Sequence, residues 1–261
     1  MNPFFSIIVV SYNAENLIGD TIESVLMQSF TDYEIIVKDA QSKDDTLKRI
    51  PESDKIRMYS TKDSGIYDGM NEAIVYSSGK YVCFLNCGDS FKHKDVLQEV
   101  YAEAIKYDRA VVYGDYSRKE VIYAQPSTMD LFTVYRSALC HQTMFFSKNL
   151  FEIYGMYDTK YKIKADYDFT VKTVKAGVKY AHIPCVICEY EGGGVSEQAK
   201  SVNAKEEKEI YDSHFSKQEQ IKYETILLFT FRKLRQCLTS DKSPKFIRKL
   251  YRGFVNKINK K

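Results

Sequence analysis

Ser6-Ile-Ile-Val-Val-Ser-Tyr-Asn13 and Tyr33-Glu-Ile-Ile-Val-Lys-Asp39 decide the fold. Each is a short β-branched apolar run that ends on hydrogen-bonding side chains. An apolar run without alternation is the pattern of a strand buried on both faces, as in a parallel sheet covered by helices. Between the two runs, Leu17 to Gln28 reads as a helix with Leu17, Ile18, Ile22, Val25 and Leu26 on one face. A short helix over Thr46 to Ile50 and a third strand over Ile56 to Ser60 repeat the pattern. Such alternation gives parallel strands joined by right-handed crossovers.

Farther along, Met70 to Ser77 reads as a helix that Gly79 terminates. Tyr81 to Leu85 is a fourth buried strand, followed at once by Asn86-Cys-Gly-Asp89. Val96 to Ile105 is helical, and Ala110 to Tyr113, Thr143 to Phe146 and Lys179 to Ile187 are later strands. Asp166 to Ala176 is a helix closed by Gly177, whereas Val121 to Ala138 shows no clear period. The expected fold class is α/β: a mostly parallel central sheet flanked by helices, plus a C-terminal helical tail.

The 261 residues suffice for one large domain with an appendage. An apolar fraction of 44% with 28% charged residues argues against wholesale disorder. The net charge of +3 conceals an asymmetry. Residues 217–261 carry 13 Lys/Arg against 3 Asp/Glu, so an acidic body bears a basic tail. The expected division is residues 1–200 for the α/β domain and 201–261 for the extension. In the extension, Ala204 to Phe215 and Gln218 to Leu238 read as helices. After Pro244, Ile247, Leu250, Tyr251, Phe254 and Ile258 share one face, with Lys and Arg on the other.

Six cysteines lack the density of a disulfide scaffold. Cys185-Val-Ile-Cys188 has the spacing of a metal knuckle, but it sits in an apolar, strand-like run and reads as buried thiols. The start lacks the basic n-region of a secretory signal, and no segment reaches ~18 consecutive apolar residues. The expected compartment is the cytoplasm.

In open parallel sheets, ligands bind beyond the carboxyl ends of the strands. Four polar clusters fall there: Ser11-Tyr12-Asn13, Asp39, Asp63-Ser64-Gly65 and Asn86 to Asp89. Each alone reads as a loop cap, but four on one rim point to a ligand. A carboxylate at Asp39 suits a base N–H or a ribose hydroxyl. Asp89 suits a hard cation, because a diphosphate beside a carboxylate needs Mn²⁺ or Mg²⁺ between them. After Val10 the chain reads Ser-Tyr-Asn-Ala-Glu-Asn, with no glycine-rich loop. NAD binding and ATP hydrolysis therefore have no support.

These residues resemble glycosyltransferase family 2, with its GT-A fold. Ser6 to Asn13 is similar to that family's opening strand, Thr21 to Phe30 to its first helix, and Tyr33 to Asp39 to its second strand. Asp63-Ser-Gly-Ile-Tyr-Asp-Gly-Met-Asn71 resembles a motif of its polysaccharide-assembly members. The likeness spans roughly residues 4 to 196. It implies inverting transfer from a nucleotide-diphosphate sugar, with a UDP-sugar expected. It also implies that Asp39 meets the nucleobase and that Asp63, Gly65, Asp68 and Asn71 line the nucleotide pocket beside Ser11, Tyr12 and Asn13. The family's metal-binding acidic segment falls on Asn86 to Asp89, where Asn86 and Gly88 stand in place of Asp. Asp89 is then the metal ligand, and Asn86 lines the donor pocket.

The resemblance places the catalytic base at Ala165-Asp166-Tyr167-Asp168, with Asp166 as the base and Asp168 in reserve or orienting it. His141 would meet diphosphate or acceptor. The chain has no Trp, which argues against a processive, cellulose-synthase-like enzyme. The basic tail fits an acceptor held at a membrane, a glycan or a polyprenyl-linked sugar, with peripheral contact on the inner face of the cytoplasmic membrane. Its competing readings are packing on the body or a homodimer contact. Nucleic acid is not an expected partner, because the body is acidic and no recognised module is present. Two other function classes compete. A nucleotidyltransferase of similar architecture would need a glycine-rich basic loop after the first strand. A non-catalytic nucleotide-sugar-binding or scaffold protein would tolerate the loss of acidic residues at 86 and 88.

Overall fold

In the computed structural model, residues 2–192 and 199–229 are described. The strands are β1 (Phe5–Ser11), β2 (Tyr33–Asp39), β3 (Ile56–Ser60), β4 (Tyr81–Phe84), β5 (Ser90–Phe91), β6 (Ala110–Arg118), β7 (Val121–Tyr123), β8 (Met144–Ser147) and β9 (Lys179–Glu189). The helices are α1 (Ile18–Leu26), α2 (Ile66–Tyr76), α3 (Val96–Ala104), α4 (Leu131–Arg136), α5 (Asn149–Tyr154), α6 (Ala165–Lys175), α7 (Lys200–His214) and α8 (Lys217–Phe229).

The sheet runs in the order β3-β2-β1-β4-β8-β6-β9-β5, with β7 on the edge of β6. β1 pairs in parallel with β2 and β4, and β2 with β3, as the alternation of elements requires. Beyond β4 the sheet is mixed. β8 runs antiparallel between β4 and β6, and β9 returns parallel to β6. The apolar run of β8 is as short as that of a parallel strand, so its direction had no local signature. The 3.6-residue period of α1 puts Ile18, Ile22 and Val25 against Phe5, Ile7 and Val9 of β1 in one core cluster. Truncating one such fully buried Ile costs about 2–5 kcal/mol.

Two departures from the expected boundaries have local causes. α2 starts at Ile66 rather than Met70, and Asp68 in its first turn accepts from Ser64 N (2.9 Å) and Oγ (2.8 Å), which ties the residues ahead of the helix to its start. Gly65 precedes it at φ 145°, a conformation open to glycine. Gly79 does not terminate α2, which ends at Tyr76. A Cβ at Gly79 would sit 2.6 Å from Ser6 N, so glycine is needed there for close approach to β1.

The chain divides into two compact units, Met1–Ile210 and Tyr211–Lys261. In the second, Ser216 and Glu219 form a capping box at the start of α8: Ser216 N and Oγ both donate to Glu219 Oε2 at 2.8 Å. The expected helix after Pro244 and the end of the expected Gln218–Leu238 helix lie outside the described residues. Among the described residues, no helix is long and apolar enough to cross a membrane.

Candidate active site

Parallel register brings the carboxyl ends of β1 and β2 level, with Ser11 opposite Asp39. β4 flanks β1 on its other side, so the winding of the chain reverses at β1, the place in such sheets where ligands bind. Ser11-Tyr12-Asn13 and Asp39 lie at the ends of β1 and β2, Asn86 to Asp89 follows β4, and Asp63-Ser64-Gly65 lies in the loop between β3 and α2.

Asp39 is fully buried. It accepts from Ser11 Oγ at 3.0 Å, Ser42 N at 2.8 Å, Ser42 Oγ at 2.5 Å and Ser60 Oγ at 3.0 Å. Burial pushes its carboxyl up, but these bonds outweigh it and hold the group below the usual carboxylate range. Four donors fill a carboxylate's four lone-pair positions. Asp39 thus holds the β2 loop in shape, and a ligand group reaching it must displace a serine. Asn13 adopts a left-handed φ of 49° and accepts from Lys43 N at 2.9 Å, stitching the β1 loop to the β2 loop. Between them Tyr12 stands 60% exposed, an aromatic face open to solvent at the rim.

On the neighbouring wall Asp63 Oδ1 accepts from Gly65 N at 3.1 Å, and its Oδ2 meets Lys38 Nζ at 2.9 Å. The Lys38 side chain is fully buried; its ammonium also donates to Thr61 O at 2.8 Å. Lys38 lies in an apolar strand run, and no sequence signal marked it as a partner of Asp63. Asn71 is occupied elsewhere. Its amide donates to Tyr157 O at 2.9 Å and accepts from Tyr157 N at 3.0 Å, which pins the approach to α6.

The β4 loop carries Asn86 and Asp89. Thr21 of α1 fixes it, accepting from Gly88 N (2.9 Å) and donating to Asp89 O (2.8 Å). Asp89 is 4% exposed. Its Oδ1 accepts from Glu191 N at 3.0 Å and its Oδ2 from Gln142 Nε2 at 2.9 Å. Burial pushes its carboxyl above the usual range, against the pull of those two donors and of His141.

His141 and Gln142 sit side by side in one 3-10 turn and point apart. Gln142 holds Asp89, while His141 Nδ1 lies 3.3 Å from Asp166 Oδ2 and its Nε2 lies 3.1 Å from Asn86 Nδ2. A single turn therefore links the acidic β4 loop to the start of α6. Asp166 also meets the Tyr67 hydroxyl, which lies 2.6 Å from Asp166 Oδ1 and 2.6 Å from Ile163 O. Burial raises the Asp166 carboxyl, but His141 and Tyr67 overcome this and hold it ionised below its usual range. Burial lowers His141, yet the Asp166 carboxylate raises it on balance. The Asp166 side chain remains 17% exposed, so the pair is reachable.

Asp168 is not brought to this group. Two residues advance a helix by about 200°, so Asp166 and Asp168 face opposite ways. Asp168 is 5% exposed, with Lys172 Nζ at 3.9 Å. The backbone that presents Asp166 is set by Glu206 of α7, a buried residue unmarked in the sequence reading. Its Oε1 accepts from Lys162 N at 2.7 Å, and its Oε2 accepts from Ile163 N and Lys164 N, each at 3.0 Å. A carboxylate at a helix N-terminus also opposes the positive end of the dipole.

The rim suits a cation shared with a ligand rather than caged by protein. Among the described residues, no three acidic, His or Cys side chains converge there. Asp89 has one free lone pair per oxygen, and Asn86 Oδ1 is buried without a partner. An oxygen-only donor set of this kind fits Mg²⁺ or Mn²⁺, which keep most of their shell for water and phosphate.

A doubly wound sheet with an acidic rim and a carboxylate at a later helix start defines a sugar-nucleotide transferase architecture. The chain matches the model of glycosyl transferase family 2 over residues 6–158, and it belongs to that family. It is 28% identical to a PGL/p-HBAD biosynthesis glycosyltransferase of Mycobacterium tuberculosis over 205 residues, covering 74% of this chain and 79% of the relative. It is 37% identical to the putative teichuronic acid biosynthesis glycosyltransferase TuaG of Bacillus subtilis over 102 residues, 37% of this chain and 40% of that one. Among solved structures, S. aureus TarS 1-349 in complex with UDP aligns with a TM-score of 0.65 at 18% identity, covering 93% of this chain and 76% of that one. The mannosyltransferase PcManGT from Pyrobaculum calidifontis, in complex with GDP-Man and Mn²⁺, aligns at 0.58 with 17% identity, covering 78% and 61%. These structures share the GT-A fold. The chain is a glycosyltransferase of that fold.

Proposed function

We propose that this enzyme transfers a sugar, with inversion, from a nucleotide-diphosphate donor to a glycan or polyprenyl-linked acceptor in surface-polysaccharide assembly. A UDP-sugar is the donor we infer. The observation that carries the reading is Asp166, an ionised and reachable carboxylate held by Tyr67 and His141 across from the acidic β4 loop. In an inverting transfer, the acceptor hydroxyl oxygen attacks the anomeric carbon while Asp166 takes its proton. The bond from that carbon to the diphosphate oxygen breaks, and the diphosphate leaves with the electron pair. Tyr67 and His141 keep the carboxylate aimed and charged until the proton arrives.

Tyr12 supplies a stacking face for the base, and Ser11, Asn13 and Asp39 hold the loops that frame it. Asp63, Gly65 and Asp68 form the opposite wall, and Asn71 positions the chain that leads to α6. Asp89 and Asn86 would hold Mn²⁺ or Mg²⁺ together with the diphosphate, and the bound cation would stabilise the departing charge. The basic extension would bring the enzyme to an anionic membrane surface as a peripheral protein on the cytoplasmic side. The GDP-Man and UDP complexes of the structural neighbours support a nucleotide-sugar donor.

The test is a donor panel. With Mn²⁺, one UDP-sugar should raise the melting temperature and release nucleoside diphosphate when acceptor is added. A panel in which no nucleotide sugar binds would overturn the reading. For the tail, truncation after Lys217 should reduce binding to anionic liposomes; equal binding would remove the membrane role.

A further inference from the structure

Cys185-Val-Ile-Cys188 does not form a metal knuckle. Cys188 is fully buried and packs near Cys140 and Cys83 in the core, while Cys185 faces another neighbourhood. There its Sγ lies 3.8 Å from His93 Nε2, and the same nitrogen lies 3.9 Å from Glu99 Oε1. All three donor atoms fall within 4.8 Å of one another. They come from separate elements: β9, the loop after β5, and α3. Their backbones are already fixed. Gln28 Nε2 donates to His93 O at 2.8 Å, Lys92 N donates to Ile187 O at 2.9 Å, and Glu99 N donates to Asp95 O at 3.0 Å.

We propose that Cys185, His93 and Glu99 form a second cation site, selective for Zn²⁺ and separate from the catalytic rim. A tetrahedral zinc with bonds of about 2.0–2.3 Å spaces its ligands about 3.3–3.6 Å apart. The Cys185–His93 and His93–Glu99 separations of 3.8 and 3.9 Å need closure by about half an ångström or less, and the third pair, within 4.8 Å, by up to about 1.3 Å, which the exposed Glu99 side chain supplies by rotation. A thiolate, an imidazole and a carboxylate are the ligand types of zinc, whereas Mg²⁺ and Mn²⁺ prefer an all-oxygen set. A recess of about 290 Å³ lined by Glu99 and Cys185 adjoins the cluster and leaves room for a water as fourth ligand. His93 and Glu99 are exposed, which gives an entry path. In the metal-free chain Asp95 N–H lies 3.3 Å from His93 Nδ1, so loading moves the ring proton from Nε2 to Nδ1 and gives up that contact. Closure on one ion would clamp α3 and β9 to the segment just beyond the Asn86–Asp89 loop.

The test uses the full-length protein, stripped of metal and titrated with Co²⁺ in excess Mg²⁺. We expect a thiolate-to-cobalt charge-transfer band that saturates at one ion per chain and is bleached by one equivalent of Zn²⁺. Cys185→Ser should abolish the band and Cys87→Ser, beside the rim, should keep it. His93→Ala replaces an exposed side chain and should fold normally. It should weaken Zn²⁺ binding by at least the ~10–100-fold that loss of an outer-shell partner costs. No thiolate band in the wild type, a band surviving in Cys185→Ser, or unchanged zinc affinity in His93→Ala would each overturn the proposal.

Discussion

Glu206→Ala removes the carboxylate that gathers three backbone N–H groups just ahead of α6. A hydrogen bond to a charged group contributes about 1.5–3 kcal/mol, and a buried donor left alone costs about 1–3 kcal/mol. The three sites are unequal. Lys162 is exposed, so water can replace the carboxylate there, whereas Ile163 is 8% exposed and its N–H would be orphaned. The net loss should therefore be about 2–4 kcal/mol, well below three full charged bonds. Glu206→Gln keeps one acceptor oxygen for Ile163 and Lys164 but turns an amine toward Lys162 N–H, so it should lose about 1 kcal/mol. Urea denaturation measures both. Transfer assays should show kcat falling in Glu206→Ala with donor affinity nearly kept, because the loosened segment carries Asp166 rather than the β1 and β2 loops. A Glu206→Ala protein within 0.5 kcal/mol of wild type, with unchanged kcat, would refute this reasoning; that threshold is about the spread of ordinary surface substitutions.

Lys38→Met should destabilise the protein by about 2–4 kcal/mol. That is under the usual 3–5 for breaking a buried pair, because Asp63 keeps 11% exposure. Adding Asp63→Asn should recover part of the loss, although Glu72, 3.6 Å from Lys38 Nζ, is still left without its cation; a double variant as unstable as the single one would exclude the Asp63 pair as the cause. Tyr12→Ala should weaken nucleotide binding by about 1–3 kcal/mol if its exposed ring stacks on a base, as calorimetry can measure; unchanged affinity would remove Tyr12 from the donor site. His141 is raised and Asp166 lowered in the folded chain. The His141 contribution is complete below about pH 6.5 and is lost as pH rises through its folded value. The Asp166 contribution is complete above about pH 4 and is lost as pH falls through its folded value. The stability gap between wild type and His141→Ala should be widest between those limits, and a flat gap from pH 4 to 9 would contradict the pairing.

The half of the fold that was legible in the sequence is the half where burial on both faces forces continuous apolar runs. β1, β2 and β4 announce themselves this way, and their polar ends mark the rim. β3 was legible despite an exposed face, because it lies between recognised breaks. The direction of β8 was not legible, since pairing direction leaves no trace in four residues. β7 and α4 lie where Val121 to Ala138 lacked a period. In the site, Asp166 and His141 stood out by type and resemblance, but their meeting across 25 residues is a tertiary fact. Tyr67 sat unremarked inside a motif valued for its acids. Gln142, Lys38 and Glu206 carry no local signal, because each acts on a partner far away in sequence.

The most direct test compares Asp166→Asn with wild type on an identified donor and acceptor. Transfer should fall by at least the ~10²–10⁴-fold of a lost general base, with donor affinity retained. Transfer at the wild-type rate in Asp166→Asn would contradict it.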